Sequence, residues 1–314
     1  MSLRCCTVRT LVVVNPNATS TSRRMRDVLL SALAGAADVT ITSTTHRNHA
    51  AELAEAARLD GIDAVVAYGG DGTVNEVVNG LLSAGPGPQV PMLGVLPGGS
   101  ANVFARNLGL PRAPLEAAGR LIRAVQAPAR TRRVGLGQAD ERWFTFSSGL
   151  GFDADTVHAV ENARHRGKRA TPGLYVRSAV RTYFKQERRT PLISGDLPGG
   201  EHLPELFLAL VTNSSPWTYM GPMSILTAPR SSFDAGLDLV GATSFGLLST
   251  LKHATEIVAG RRGPRGHDIV HRHDLPWITL HAQKPLPIQV DGDYLGETTR
   301  MRCRAVPDAL RVLV

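Results

Sequence analysis

The chain has 314 residues, enough for about two domains at roughly 150 residues each. With 43% apolar and 20% charged residues, it excludes a wholly disordered protein, and no apolar run approaches the ~18 residues of a membrane span. The formal charge is +8, and 31 of the 35 basic residues are arginine, a bias that suits phosphate recognition without deciding it.

The apolar run Leu11–Val14 is too short for a signal-peptide core and reads as part of a first strand, Thr10–Val14. Further strands are predicted at Asp38–Thr42, Ala64–Tyr68 and Met92–Leu96. Helical patterns lie between and after them, at Ser22–Leu33, Ala50–Leu59, Thr73–Leu82, Asn102–Leu108 and Ala113–Ala124. This alternation implies a parallel sheet covered by helices. After Gln126–Arg133 the pattern changes to short strands at Trp143–Ser148, Leu206–Thr212, Leu237–Val240, Trp277–His281 and Ile288–Val290. Turn clusters separate them at Ser194–Pro204, Gly260–Gly266 and Lys284–Pro287. The expectation is an α/β domain over residues 8–130 and a β-rich domain over 131–314, with a last strand near Ala309–Val314 returning to either. Cys5, Cys6 and Cys303 have neither metal-ligand spacing nor a disulfide framework, so a soluble, reduced, cytoplasmic protein is expected.

The strongest chemical signal is Gly69-Gly70-Asp71-Gly72-Thr73, followed by Asn75 and Glu76, between a predicted strand and a predicted helix. Ligands of open α/β sheets bind at the carboxyl ends of strands. Glycines there let backbone amides approach a phosphate, and a helix N-terminus favours its charge. An acid in that place fits a cation bridging it to phosphate. The plainer reading is a tight turn with an Asp or Thr cap. One strand later, Pro97-Gly98-Gly99-Ser100 repeats the arrangement, so two glycine turns are expected to offer amides to one polyphosphate. Asn15-Pro16-Asn17 and the hydroxyl-rich Thr42–Thr45 end the first two strands.

No G-x-x-x-x-G-K-[ST] sequence is present, which excludes a P-loop. Gly149–Ala154 matches the loose dinucleotide pattern G-x-G-x-x-A, but in the β-rich half. Asp291-Gly292-Asp293 ends a strand with two carboxylates. One could accept a hydroxyl proton while the other orients it or holds a cation, although Asp-Gly is also a strong hairpin signal. His267, His271 and His273 with Asp268 and Asp274 read as solvated loop residues rather than a metal cluster. Residues 164–189 hold nine Lys or Arg and one acid, and suit a basic amphipathic helix at an anionic membrane surface; nucleic acid and a merely solvated face are the alternatives.

Taken together, these residues resemble the diacylglycerol kinase catalytic-domain family, in particular bacterial soluble lipid kinases, within a superfamily that includes sphingosine and NAD kinases. The segments are Val14-Asn15-Pro16, Gly69–Glu76, Leu96–Asn102 with Phe104-Ala105-Arg106, Gly149–Ala154, Asn213, Pro229 and Val290–Asp293. The resemblance implies an NAD kinase-like α/β nucleotide-binding domain with a parallel sheet, and a C-terminal β-sandwich domain. It implies ATP held by Asn15, Pro16, Asn17, Ala18, Thr19, Thr44, Gly69, Gly70, Asp71, Gly72, Thr73, Val74, Asn75, Glu76, Gly98, Gly99 and Ser100. It implies Mg2+, held with the help of Asp71, and a proton acceptor at Asp293, one methylene shorter than the family's glutamate, with Asp291 as its partner. Which of the two carboxylates abstracts the proton stays open. A structural Mg2+ of the family uses the second acid of Asp-Asp-Gly-Leu; here the sequence is Asp234-Ala235-Gly236-Leu237, which leaves Asp234, Ser232 and Leu237 as contacts. Members also tend to carry an acid where this chain has Gly135.

The expected function is ATP-dependent phosphorylation of a membrane-lipid hydroxyl, diacylglycerol to phosphatidic acid, by a magnesium-dependent enzyme of phospholipid biosynthesis at the inner membrane surface. Docking through 164–189, no nucleic-acid partner and a possible homodimer go with it. The alternatives are a soluble dinucleotide kinase of the NAD kinase type and a non-catalytic basic protein that binds membrane or nucleic acid.

Overall fold

The computed structural model describes residues 8–18, 23–35, 38–127, 131–151, 154, 191–244, 246, 252–253, 255–257 and 263–314. The chain divides into two compact units. The first runs to Val134 and takes in Asp308–Val314; the second is Gly135–Pro307.

In the first unit, apolar runs form strands buried along nearly their whole length, as a sheet covered on both faces requires. They are β1 (Arg9–Val14), β2 (Asp38–Ser43), β3 (Ala64–Gly69) and β4 (Met92–Pro97). All pair in parallel in the order β4-β3-β1-β2, and Val312, near the chain's end, adds to the sheet beside Leu93 of β4. Only β2, at the edge, lacks buried residues. The helices are α1 (Arg23–Ala34), α2 (His49–Leu59), α3 (Asp71–Leu81), α4 (Val103–Asn107) and α5 (Pro114–Gln126). Leu29 and Leu33 of α1 and Leu121 and Val125 of α5 share one core with Val12, Val66, Tyr68 and Leu96. The intervening strand residues Val13, Val65 and Ala67 are buried on the opposite face. There α2 lies against β1, and α3 lies against β3 and α2.

The second unit is antiparallel and strand-rich. Its strands are β5 (Thr131–Ala139), β6 (Arg142–Phe144), β7 (Ser147–Gly151), β8 (Ile193–Asp196), β9 (His202–Leu206), β10 (Leu208–Thr212), β11 (Thr218–Met220), β12 (Met223–Ile225), β13 (Leu237–Ala242), β14 (Ile269–Leu275), β15 (Trp277–Val290) and β16 (Asp293–Leu313). Neighbours run β14-β13-β10-β7-β15-β16; β8 joins β15 and β9, β5 joins β16 and β6, and β11-β12 forms a sheet of its own. Leu150, Val211, Leu239, Ile288 and Val290 meet Ile193, Leu203, Ile278, Leu280, Met301 and Cys303 in one core.

Several sequence expectations change here. Trp143–Ser148 is two strands, because the chain bends at Thr145-Phe146 to wrap a carboxylate. Lys284–Pro287 is not a turn: it lies inside β15, where register shifts absorb the missing proline amide. Ser194–Pro204 contains most of β8 and the start of β9. His271, His273 and Asp274 sit on β14 rather than in a solvated loop. Gly149–Gly151 lies in an antiparallel strand, so the dinucleotide reading loses the parallel crossover it needs.

One glycine sets the packing of α2 on α3. A Cβ on Gly80 would lie 2.1 Å from the carbonyl oxygen of Ala51. Gly80→Ala is therefore expected to destabilise the protein by about 2 kcal/mol or more, measured by chemical denaturation.

Candidate active site

Four strand ends converge in the first unit. The Asn15 amide donates to Tyr68 O (2.9 Å), the Thr44 amide to Val14 O (2.8 Å) and the Gly98 amide to Gly69 O (2.7 Å), so the sheet's bonding continues into its turns. The Asn15 carboxamide donates to Thr73 Oγ1 at 3.0 Å and accepts the Asn17 amide at 2.9 Å. It thereby ties the turn after β1 to the start of α3. Pro16 and Asn17 are exposed, and Ala18 lies close to Gly98.

The glycine turn after β3 leads straight into α3, with Gly70 as its N-cap. The first amides of a helix have no intrahelical acceptor, and helix starts of this kind bind phosphate elsewhere. The second glycine turn does something different. A Cβ on Gly99 would lie 2.6 Å from Gly70 Cα, and the Gly99 amide donates to Asn102 Oδ1 at 2.8 Å. The amides of Gly98 and Gly99 are thus committed to protein acceptors. This corrects the expectation that both turns offer amides: the second buttresses the first, and its glycines serve close backbone approach. Ser100 is exposed beside them.

Side chains named for the nucleotide separate in the same way. Val74 is in the core, and Asn75, buried, accepts from the Asn79 carboxamide at 3.1 Å. Glu76 accepts the Asn48 amide (2.9 Å) and the Ala50 amide (3.2 Å), which makes it the cap of α2. Asn48 itself sits at φ 72° without a side-chain cap bond, so Glu76 does that work across the fold. The side chains of Val74, Asn75 and Glu76 are thus tied to the protein's own groups or core. Asp71 Oδ1 accepts the Phe104 amide at 3.2 Å, placing this acid at the starts of both α3 and α4. Thr19, Phe152, Asp153 and the basic stretch 164–189 lie outside the described residues.

In the second unit, Asp291 and Gly292 have φ 47° and 83°, and Val290 pairs with Asp293. This is a two-residue hairpin with both central residues left-handed, as Asp-Gly predicts. Asp291 is also a buried anchor. Its Oδ2 accepts the Thr145 amide (2.7 Å) and hydroxyl (2.9 Å), and its Oδ1 accepts the amides of Phe146 (2.9 Å) and Ser147 (3.0 Å). Three successive amides form a nest around the carboxylate. Asn213 holds the same bend from its carbonyl side, donating to Thr145 O (3.2 Å) and Gly135 O (3.0 Å). Spacing alone did not reveal the Thr145–Ser147 bend. Asp293 opens β16, half-buried.

The residues expected to contact a structural metal lie at the turn that leads into β13. Asp234 is exposed, its amide bonded to Ser232 Oγ (3.2 Å), and Leu237 contributes a buried side chain to the core of the unit. The Phe233 carbonyl accepts the Gly135 amide at 2.8 Å, and a Cβ on Gly135 would lie 2.7 Å from that oxygen. A direct backbone bond occupies the place an acid would need. Among the described residues, one group of metal-ligating side chains converges, His46, His49 and Glu52. His49 Nδ1 already accepts the Thr45 amide at 3.1 Å, which keeps the proton of the neutral ring on Nε2.

The histidines of the second unit form separate links: His273 to Asp238 (2.6 Å), His271 to Pro264 O (2.7 Å) and His253 to Asp268 (2.9 Å). His202 and His281 hold the Asp196 carboxyl below its usual range. The Arg265 amide, then His253, does the same for Glu256. These contributions are present above the ordinary carboxylate range and are lost as pH falls through the lowered values. Burial pushes the Cys303 thiol up, so it stays protonated.

A parallel α/β unit with phosphate-type turns, followed by an antiparallel unit carrying an anchored acidic hairpin, defines a class of nucleotide-dependent phosphotransferases. The fold is shared with a diacylglycerol kinase from Bacillus anthracis (TM-score 0.72, 21% identity, 98% of this chain and 97% of that one). It is shared more distantly with an NAD kinase from Archaeoglobus fulgidus in complex with ATP (TM-score 0.53, 11% identity, 97% and 93%). Residues 9–134 match the diacylglycerol kinase catalytic domain. A protein named "Probable lipid kinase YegS-like" from Chromohalobacter salexigens is 32% identical over 77% of this chain and 73% of its own length. The diacylglycerol kinase of Bacillus subtilis is 31% identical over 81% and 78%. The chain belongs to the diacylglycerol kinase catalytic-domain family of lipid kinases. It is a phosphotransferase that acts on an alcohol acceptor.

The capping role of Glu76 is testable. Glu76→Ala should cost about 1–2 kcal/mol of stability in thermal or chemical unfolding. Its ATP affinity, measured by calorimetry, should match that of the unchanged protein.

Proposed function

We propose that the protein transfers the γ-phosphate of ATP to the hydroxyl of a membrane lipid, with diacylglycerol as the acceptor and phosphatidic acid as the product. The observation that carries the chemical assignment is the division of roles within one hairpin. Four donors surround Asp291, so its oxygens serve the fold. The role of proton acceptor then falls to Asp293, two residues on and half-buried.

In this reading the first amides of α3 and the turn Gly69–Thr73 hold the polyphosphate. The turn Pro97–Ser100 keeps Gly70 in place through the Gly99 contact. Asp71 would help hold Mg2+ bound to ATP, and that ion would neutralise phosphate charge. Asp293 takes the proton of the acceptor hydroxyl as its oxygen attacks phosphorus in line. Positioning and charge stabilisation supply most of the rate. Among the described residues no helix is long and apolar enough to cross a membrane. A bilayer-borne acceptor would therefore be met at the membrane surface.

The reading is supported by membership in a lipid-kinase family, and its deciding assay is labelled ATP with a panel of lipids, followed by phase separation. Label should enter the organic phase with diacylglycerol. Label that stays aqueous and follows a dinucleotide would favour NAD kinase-type chemistry instead, which the shared fold makes the second reading. Asp293→Asn should lower kcat by about 100-fold or more while ATP affinity is retained; an equal loss in both would remove Asp293 as the base.

A further inference from the structure

From Leu206 to Pro229 the chain carries no charged residue, in a protein of net charge +8. Part of this stretch forms the β11-β12 hairpin, a two-stranded sheet separate from the main one. Its pairs are Thr218 with Ile225, Tyr219 with Ser224 and Met220 with Met223. The turn is Gly221-Pro222, with Gly221 at φ 61°. Glycine first with positive φ, then a residue of fixed negative φ, is the type II′ arrangement that a tight hairpin favours.

Burial falls steadily along this hairpin. Ile225 at its base is buried (3% exposed), Thr218, Tyr219 and Met220 are half-buried, and Gly221, Pro222 and Met223 at its tip are exposed, Met223 by 43%. Trp217 continues the ladder at the base, its amide donating to Ile225 O at 3.0 Å. The outward end is thus Met-Gly-Pro-Met, with aromatic side chains one and three residues behind it on the β11 side.

We propose that this hairpin tip inserts into the interfacial layer of a lipid bilayer. Three features fit that occupant. The tip offers flexible apolar side chains with no charge to desolvate. Pro222 has no amide hydrogen, which removes one backbone donor that would otherwise be buried in an apolar medium. Trp217 and Tyr219 stand behind the methionines, and such rings settle at the level of lipid headgroups. The inference rests on the reading of a bilayer-borne acceptor, and it assigns the contact to an apolar wedge instead of a basic face. An apolar wedge keeps its grip in salt, whereas attraction between exposed charges is screened.

The test uses the full chain and vesicles of phosphatidylcholine and phosphatidylglycerol in equal amounts, without ATP, at low and at high salt. The unchanged protein should sediment with vesicles in both. The double variant Met220→Ser, Met223→Ser and the single variant Met223→Asp should partition about tenfold more weakly. Their melting temperatures and their activity on a water-soluble short-chain acceptor should be unchanged. Vesicle binding that persists in Met223→Asp, or that vanishes at high salt in the unchanged protein, would overturn the proposal. So would a concentration-dependent dimer that Met223→Asp dissolves, since the tip would then cover a second copy. Because vesicle binding is read without ATP, it can fail while lipid phosphorylation succeeds, and the reverse.

Discussion

The backbone contact between two strand-end turns is the constraint on which the nucleotide half depends. Gly70 and Gly99 approach so closely that a Cβ on Gly99 would fall 2.6 Å from the facing Cα. That contact lets the turn after β3 stay tight enough for α3 to begin at Asp71. The amides of the buttressing turn go to Gly69 O and Asn102 Oδ1. Thr73 and Asn15 lock the same turn from the β1 side. Specific polar side chains therefore shape these turns.

The second unit solves a similar problem with a carboxylate. A buried ion without donors is costly, so Asp291 is tolerated only because the chain bends around it and supplies four. The bend breaks what periodicity reads as one strand into β6 and β7. Asn213 satisfies the carbonyls left over by the same bend. A hairpin results in which Asp291 is held as a structural anchor. The segment before β13 is held by backbone. Gly135 and Phe233 join directly through the backbone, and Asp234 faces solvent.

Much of this was legible in the residues. The period of the apolar runs identified the four parallel strands of the first unit, and each helix was placed to within a few residues. Gly69–Thr73 announced itself because glycines and an acid at a strand end are a combination that turns alone seldom need. Less visible were the roles of residues whose partners are far away in sequence. Glu76 belongs to a helix start 26 residues earlier. Asp291 belongs to a bend 144 to 146 residues earlier. His273 of β14 looked like a loop residue because its carboxylate partner, Asp238, lies on β13. Lys284–Pro287 looked like a turn because proline's missing amide is tolerated at a bulge that only a neighbouring strand can define.

Local pattern and composition were enough for the fold class, the family and the glycine turn after β3, because each is written in contacts between residues near one another in the chain. Tertiary contacts alone could assign a structural role to Asp291, turn Gly98 and Gly99 from donors into a buttress, and leave the Met220–Met223 tip outside the core. Those outcomes depend on which distant backbone group reaches a side chain first, and no short window of residues contains both partners.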